Sequence, residues 1–185
     1  MSILYVIRHS ETDYNNKGIY IGRKDIKINE NGKNQAEFLG KKFQKENPDL
    51  IITSSLSRAK ETAEIINKYT KKDIIVDNRF VEADIGIYEG LTSSEFWEII
   101  ENKYYGDIYK FYNNNFLGGE NSREIEKRVS QGLKDIKKNY QNKKIILITH
   151  GFVIRIVNKY FNPDISFTKF FNFLIKNGEI KKFNF

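Results

Sequence analysis

The chain has 185 residues, with 31 Lys and Arg against 24 Asp and Glu, and no cysteine. That length suits a single domain, residues 1–185, with a substantial core. Without cysteine, disulfides, thiolate chemistry and the usual structural zinc sites are excluded, and no apolar run nears the ~20 residues of a spanning helix.

Ile3-Leu4-Tyr5-Val6-Ile7 is a short apolar run of the kind that forms a buried strand, and it runs straight into Arg8-His9. Met1-Ser2 enters it with no charged-then-apolar leader, so a cytoplasmic location is expected. A polar loop follows to Asn29. Helical spacing of Ala36, Leu39, Gly40 and Phe43 predicts a helix over residues 30–46, stopped by Asn47-Pro48. Leu50–Thr53 reads as a second strand, residues 58–70 as a helix and Ile74–Asp77 as a third strand. Residues 82–90 form a loop with two glycines. Thr92 and Glu95 make a capping box for the next helix. Asp107–Asn115 reads as a short helix, and residues 122–140 as a long amphipathic one. Ile145–Thr149 is again an apolar strand, ending at His150, and a helix runs from Gly151 to Phe161. Residues 170–175 and 180–185, joined across Asn177-Gly178, read as a hairpin.

Strands alternating with helices argue a parallel sheet, and the terminal hairpin adds an antiparallel strand. The only two histidines, His9 and His150, each follow a strand, where open α/β sheets place their chemistry. A lone Arg-His pair would ordinarily begin a solvated loop. The repetition of the pattern argues against that here.

Arg8-His9-Ser10-Glu11-Thr12, with Asn15 three further on, resembles the Arg-His-Gly-Glu-Thr signature of the histidine phosphatase superfamily, the phosphoglycerate-mutase-like family. The resemblance continues in Ser54-Ser55-Leu56-Ser57-Arg58-Ala59-Lys60-Glu61-Thr62-Ala63, in Glu82–Gly90 and in His150-Gly151. It implies a three-layer α/β/α sandwich on a six-stranded, mostly parallel sheet with one antiparallel strand. The family's strand order, 3-2-1-4-5-6, makes strands one and four neighbours and sets His9 beside His150.

The same resemblance assigns roles. His9 is the nucleophile, an imidazole that attacks phosphorus with one nitrogen while a neighbour fixes the tautomer. Arg8 and Arg58 clamp the phosphoryl group, since guanidinium forks match its equatorial oxygens. His150 donates to a phosphate oxygen, and Gly151 opens a helix whose N-terminus faces the anion. Glu82 protonates the leaving oxygen and then activates water. Asp84 and Glu89 are weaker alternatives, with Glu89 fixing the loop. Asn15, Ile21 and Gly22 line the phosphate or substrate loop, and Glu120 belongs to a segment read as mainly structural. Ser10 stands where the family carries glycine, which would strain the backbone if φ there were positive.

Residues 91–117 contain no arginine and many aromatics, among them Phe96, Trp97, Tyr104 and Tyr109. Mutases of the family hold a second anion with arginines in a longer insert. This segment therefore resembles α-ribazole-phosphate phosphatases and broad-specificity phosphomonoesterases, with water as acceptor. A cofactor-dependent phosphoglycerate mutase and a non-catalytic phosphoester-binding module are the alternatives. The second gives no reason to keep Glu82. No metal or other cofactor is expected, because the arginines supply the positive charge. The formal charge of +7 raises nucleic-acid binding, but lysine pairs such as Lys41-Lys42 and Lys137-Lys138 are scattered among acids, as on a solvated surface. The expected partner is a small phosphate ester, with no nucleic acid and no membrane; a homodimer is compatible with the chain.

Overall fold

The computed structural model describes residues 1–104, 106, 107, 109, 110 and 118–185. Its strands are β1 (Ile3–Arg8), β2 (Leu50–Thr53), β3 (Ile74–Val76), β4 (Lys144–Thr149) and β5 (Ile180–Asn184). Its helices are α1 (Asp13–Asn16), α2 (Glu30–Glu46), α3 (Ser57–Thr70), α4 (Ser93–Tyr104), α5 (Ser122–Asn139), α6 (Gly151–Phe161) and α7 (Phe167–Asn172). The helix expected over Asp107–Asn115 lies mostly outside the described residues.

The described strands make one mixed sheet in the order β3-β2-β4-β1-β5. It has five strands rather than the six expected. The order also differs: β4, not β1, lies between β2 and its other neighbour, because Leu50–Thr53 pairs directly with Ile145–Ile148. The expected adjacency of the first and fourth strands holds, with Ile3↔Lys144 through Arg8↔Thr149 in parallel register. That register brings His9 and His150 out together at the carboxyl end.

Side chains alternate across a strand, so each strand feeds two cores. Leu4, Val6, Leu50, Ile52, Ile145 and Leu147 pack with Ile125, Val129 and Leu133 of α5 and with Val153 and Val157 of α6. Tyr5, Ile7, Ile51, Ile146 and Ile148 pack on the other face with Leu39 and Phe43 of α2 and with Ala59, Ala63 and Ile66 of α3. Helices thus cover both faces, and the central strands read as continuous apolar runs because both faces are buried.

The predicted terminal hairpin is not formed. Asn177-Gly178 does make a turn, with Glu179 N–H bonded to Lys176 O and Gly178 at φ +71°. Residues 170–172, however, belong to α7, which Ser166 caps by accepting from Lys169 N. β5 pairs antiparallel with β1 instead. The open edge of β1 offers backbone partners, and Phe170 goes into the core, so tertiary packing overrides the local β tendency of the phenylalanines.

Candidate active site

β1 ends at Arg8, and the next residue is held to the neighbouring strand by His9 N–H donating to Thr149 O at 2.9 Å. The His9 ring is buried, 3 % exposed. Its Nδ1 lies 2.8 Å from Ser10 O. A carbonyl can only accept, so Nδ1 carries the proton and Nε2 keeps its lone pair. Burial, and then the charges of Arg58 and Arg8, hold the imidazole well below its usual proton affinity. His9 is therefore neutral, of fixed tautomer, with one free basic nitrogen.

Ser10 is fully buried and does not take positive φ. Its N–H donates to Thr62 Oγ1 at 3.0 Å, and Thr62 in turn donates to Arg58 O at 2.7 Å. Serine in place of glycine thus costs no backbone strain, and α3 is tied to the loop after β1.

Asp25 starts α3 from outside, accepting from Ser57 N at 2.6 Å and Ser57 Oγ at 2.8 Å. This replaces the cap that Leu56 cannot supply. Arg58 follows in the first turn and is 1 % exposed. Its Nη1 donates to Lys24 O at 2.9 Å and its Nη2 to Gly22 O at 2.8 Å. Gly22 has φ +54°, and a Cβ there would lie 2.3 Å from Glu89 Oε1, so only glycine fits. Burial lowers Arg58 to about 10 despite Glu82 and Asp25 nearby. Arg8 is lowered by the same cause, while its Nη1 donates to Ile175 O at 3.0 Å. Among the described residues, the Nε groups of both arginines are buried without a partner. Two desolvated guanidiniums with unspent donors beside a neutral imidazole form a site for an anion.

His150 lies against His9, with ring centroids 5.2 Å apart. It is fully buried, and burial with Arg58 and His9 holds it neutral. Its Nε2 is 2.7 Å from Ser54 Oγ. With Ser54 donating, the ring proton sits on Nδ1, which has no partner among the described residues. Gly151 opens α6, and a Cβ there would touch Arg8 and Glu82.

Glu82 projects from the loop after β3. Its Oε1 accepts from Ala83 N at 2.9 Å and its Oε2 from Phe152 N at 3.4 Å. Asn15 caps α1 together with Thr12, and Asn177 Nδ2 bridges Asn15 Oδ1 and His9 O. Arg8, His9, Asn15, Ile21, Gly22, Arg58, Glu82 and Gly151 all line one cavity of about 450 Å³; His150 is not part of its lining but packs against His9. Eight of the nine site residues expected from the sequence thus line one cavity, and the ninth, His150, touches it through His9. Glu89 accepts from Arg23 N at 2.6 Å and belongs to the loop framework.

Sequence reasoning missed several supports. Arg128 of α5 donates to Arg79 O, Val81 O and Glu82 O, and pairs with Glu120. Arg23 donates to Glu82 O and pairs with Glu120 at 2.8 Å. Burial raises the Glu120 carboxyl, but bonds from Arg128 and the charges of Arg128 and Arg23 outweigh it and keep Glu120 below its usual range. The cavity lining adds Tyr20, Phe96, Trp97, Arg155, Phe171 and Asn172. Only Phe96 and Trp97 among these carried a sequence signal.

A mixed sheet with two histidines at the carboxyl ends of adjacent parallel strands, flanked by buried arginines and one carboxylate, defines a phosphoryl-handling enzyme of the phosphatase type. Residues 4–185 match the family model of the histidine phosphatase superfamily (branch 1). The uncharacterized phosphatase PhoE of Bacillus subtilis is 32% identical over 182 residues, covering 97% of this chain and 89% of that protein. Phosphoserine phosphatase 1 of Hydrogenobacter thermophilus is 28% identical over 152 residues, covering 82% and 72%. Among solved structures, a phosphoserine phosphatase mutant from Entamoeba histolytica in complex with phosphoserine superposes with a TM-score of 0.86 at 29% identity, covering 100% of this chain and 91% of that one. The chain belongs to the histidine phosphatase superfamily and is a phosphatase of it.

Proposed function

We propose that the protein hydrolyses phosphomonoesters through a phosphohistidine on His9, with Arg8, Arg58 and His150 holding the phosphoryl group and Glu82 moving the protons. The observation that supports this best is the state of His9. Its Nδ1 proton is committed to Ser10 O, and Nε2 stays unprotonated beside two guanidiniums.

In the first half-reaction Nε2 attacks phosphorus as the ester P–O bond breaks, and the Glu82 carboxyl gives its proton to the departing oxygen. The charge that spreads over the equatorial oxygens meets the Nε donors of Arg8 and Arg58, and Nδ1 of His150 gives one further hydrogen bond. In the second, Glu82 as carboxylate takes a proton from water, the water oxygen bonds to phosphorus, the P–N bond breaks, and His9 returns neutral with release of inorganic phosphate. The arginines supply the positive charge, so turnover needs no added metal.

The test uses phenyl phosphate, with inorganic phosphate release as readout, with and without EDTA. Rapid quenching should trap an acid-labile, base-stable phosphoryl group, and His9→Ala should abolish both trapping and turnover. Activity that collapses in EDTA and returns with a divalent cation, or trapping that survives in His9→Ala, overturns the reading.

A further inference from the structure

Arg155 lies one turn into α6 and shares the helix face of Gly151, since residues four apart are neighbours on a helix. Gly151 faces Arg8 and Glu82, so Arg155 stands roughly 6 Å further along the same wall. It lines the same cavity as His9 and is half-buried. Two contacts fix it. Nε donates to Phe173 O at 3.2 Å, and the guanidinium carbon lies 4.9 Å from the Phe171 ring centroid. Both use the stem and one face, and the terminal nitrogens have no carboxylate partner among the described residues.

The charged groups among the described residues of the cavity wall are Arg8, Arg58, Arg155 and Glu82. A phosphate dianion balances Arg8 and Arg58. Glu82 must carry a proton to act as acid, and it then neutralises nothing. Arg155 is left as a half-buried cation, costly unless an anion meets it. Burial already lowers its proton affinity, with Glu82 only partly offsetting this. The wall is polar as well as aromatic, since Asn172 and Ser93 line the same cavity.

We propose that Arg155 is a specificity residue that receives a carboxylate on the alcohol part of the substrate, so that the preferred ester is a small phosphorylated hydroxy acid. This rests on the phosphatase reading of the His9 site and names the substrate class for it. It sets aside an uncharged aromatic alcohol, which the rings of Phe96 and Trp97 alone would favour. The second cation comes from α6, outside the arginine-free segment 91–117.

The test compares 3-phosphoglycerate with glycerol 3-phosphate, which differ only in a carboxylate against a hydroxymethyl group, with phenyl phosphate as reporter of the His9 site. Phosphate release is measured for wild type, Arg155→Gln and Arg155→Lys. Wild type should favour the acid by about tenfold or more in kcat/KM. Arg155→Gln should erase that ratio mainly through KM, and Arg155→Lys should restore part of it. An unchanged ratio in Arg155→Gln, or no preference in wild type, overturns the inference while leaving the phosphatase reading intact. Equal losses on all three substrates in both variants make Arg155 a brace for Phe173 and overturn it too. Failure of wild type on all three, phenyl phosphate included, overturns the phosphatase reading itself.

Discussion

Arg128 Nη2 of helix α5 donates to the backbone carbonyl of Glu82 at 3.1 Å. Its Nη1 holds Val81 O at 2.6 Å and Arg79 O at 2.8 Å. One planar cation thus organises the backbone that carries the proposed acid and base. An ammonium has neither the span nor the fork geometry to do this. Arg128→Lys should lower kcat on an alkyl phosphate roughly tenfold, with stability falling by about 1–3 kcal/mol from unsatisfied carbonyls. Steady-state kinetics and chemical denaturation read the two effects. A variant with wild-type kcat would show that the loop holds Glu82 without Arg128.

Glu82→Gln keeps the size and a hydrogen-bonding end but can neither give nor take a proton. Loss on an alkyl phosphate should be about 10²–10⁴-fold. It should be smaller in the phosphorylation step for an aryl phosphate, whose leaving oxygen needs less protonation. Vanadate should bind almost normally. Single-turnover phosphorylation of His9 separates the steps. Unchanged phosphorylation rates on both substrates would transfer the role to Asp84 or Glu89.

Arg58 spends both Nη groups on Gly22 O and Lys24 O and keeps Nε in reserve. Arg58→Ala should cost roughly 2–4 kcal/mol of transition-state stabilisation, read as kcat/KM. Trapped phosphoenzyme should still form on His9, slowly. A rate within a factor of a few of wild type would remove Arg58 from the clamp.

The two histidines set an acid limit on stability. Burial and Arg58 hold both His9 and His150 well below the usual histidine range. As pH falls through about 6.5 the unfolded chain takes up two protons that the folded chain refuses. Stability therefore rises with pH up to that point and is flat above it, with a limiting slope of about 2.7 kcal/mol per pH unit. Asp49, held low by Lys144 N–H and then Lys143, adds its own loss only at more acid pH, below about 4. Urea midpoints from pH 7.5 to 5.5 should fall for wild type, and about half as steeply for His150→Asn. Equal slopes would mean that His150 is charged in the fold.

The site residues legible in the sequence stand where an apolar strand meets a charged or titratable side chain, as at Ile7-Arg8-His9 and Thr149-His150. There local pattern and topology coincide. Arg128 and Arg155 were not legible, because an arginine on an amphipathic helix reads as a solvated face until its neighbours are known. Ser54 and Asn177 act only through contacts with His150 and His9, across long stretches of chain. The hairpin expectation failed for a similar reason. Phe170–Ile175 has local strand character, but the edge of β1 was filled by β5 and the phenylalanine was needed in the core.

Among the described residues, strand β1 pairs with β4 and β5, so both of its partners come from much later in the chain. The turn that precedes β5 reaches His9 as well, through Asn177 Nδ2 to His9 O and Gly178 N–H to Arg8 O. At translation speeds of about 5–20 residues per second, the nascent chain spends many seconds with Arg8 and His9 synthesised but unsupported. A polypeptide stalled before residue 177 carries every proposed catalytic side chain but lacks the Asn177 and Gly178 bonds that hold the backbone of His9 and Arg8.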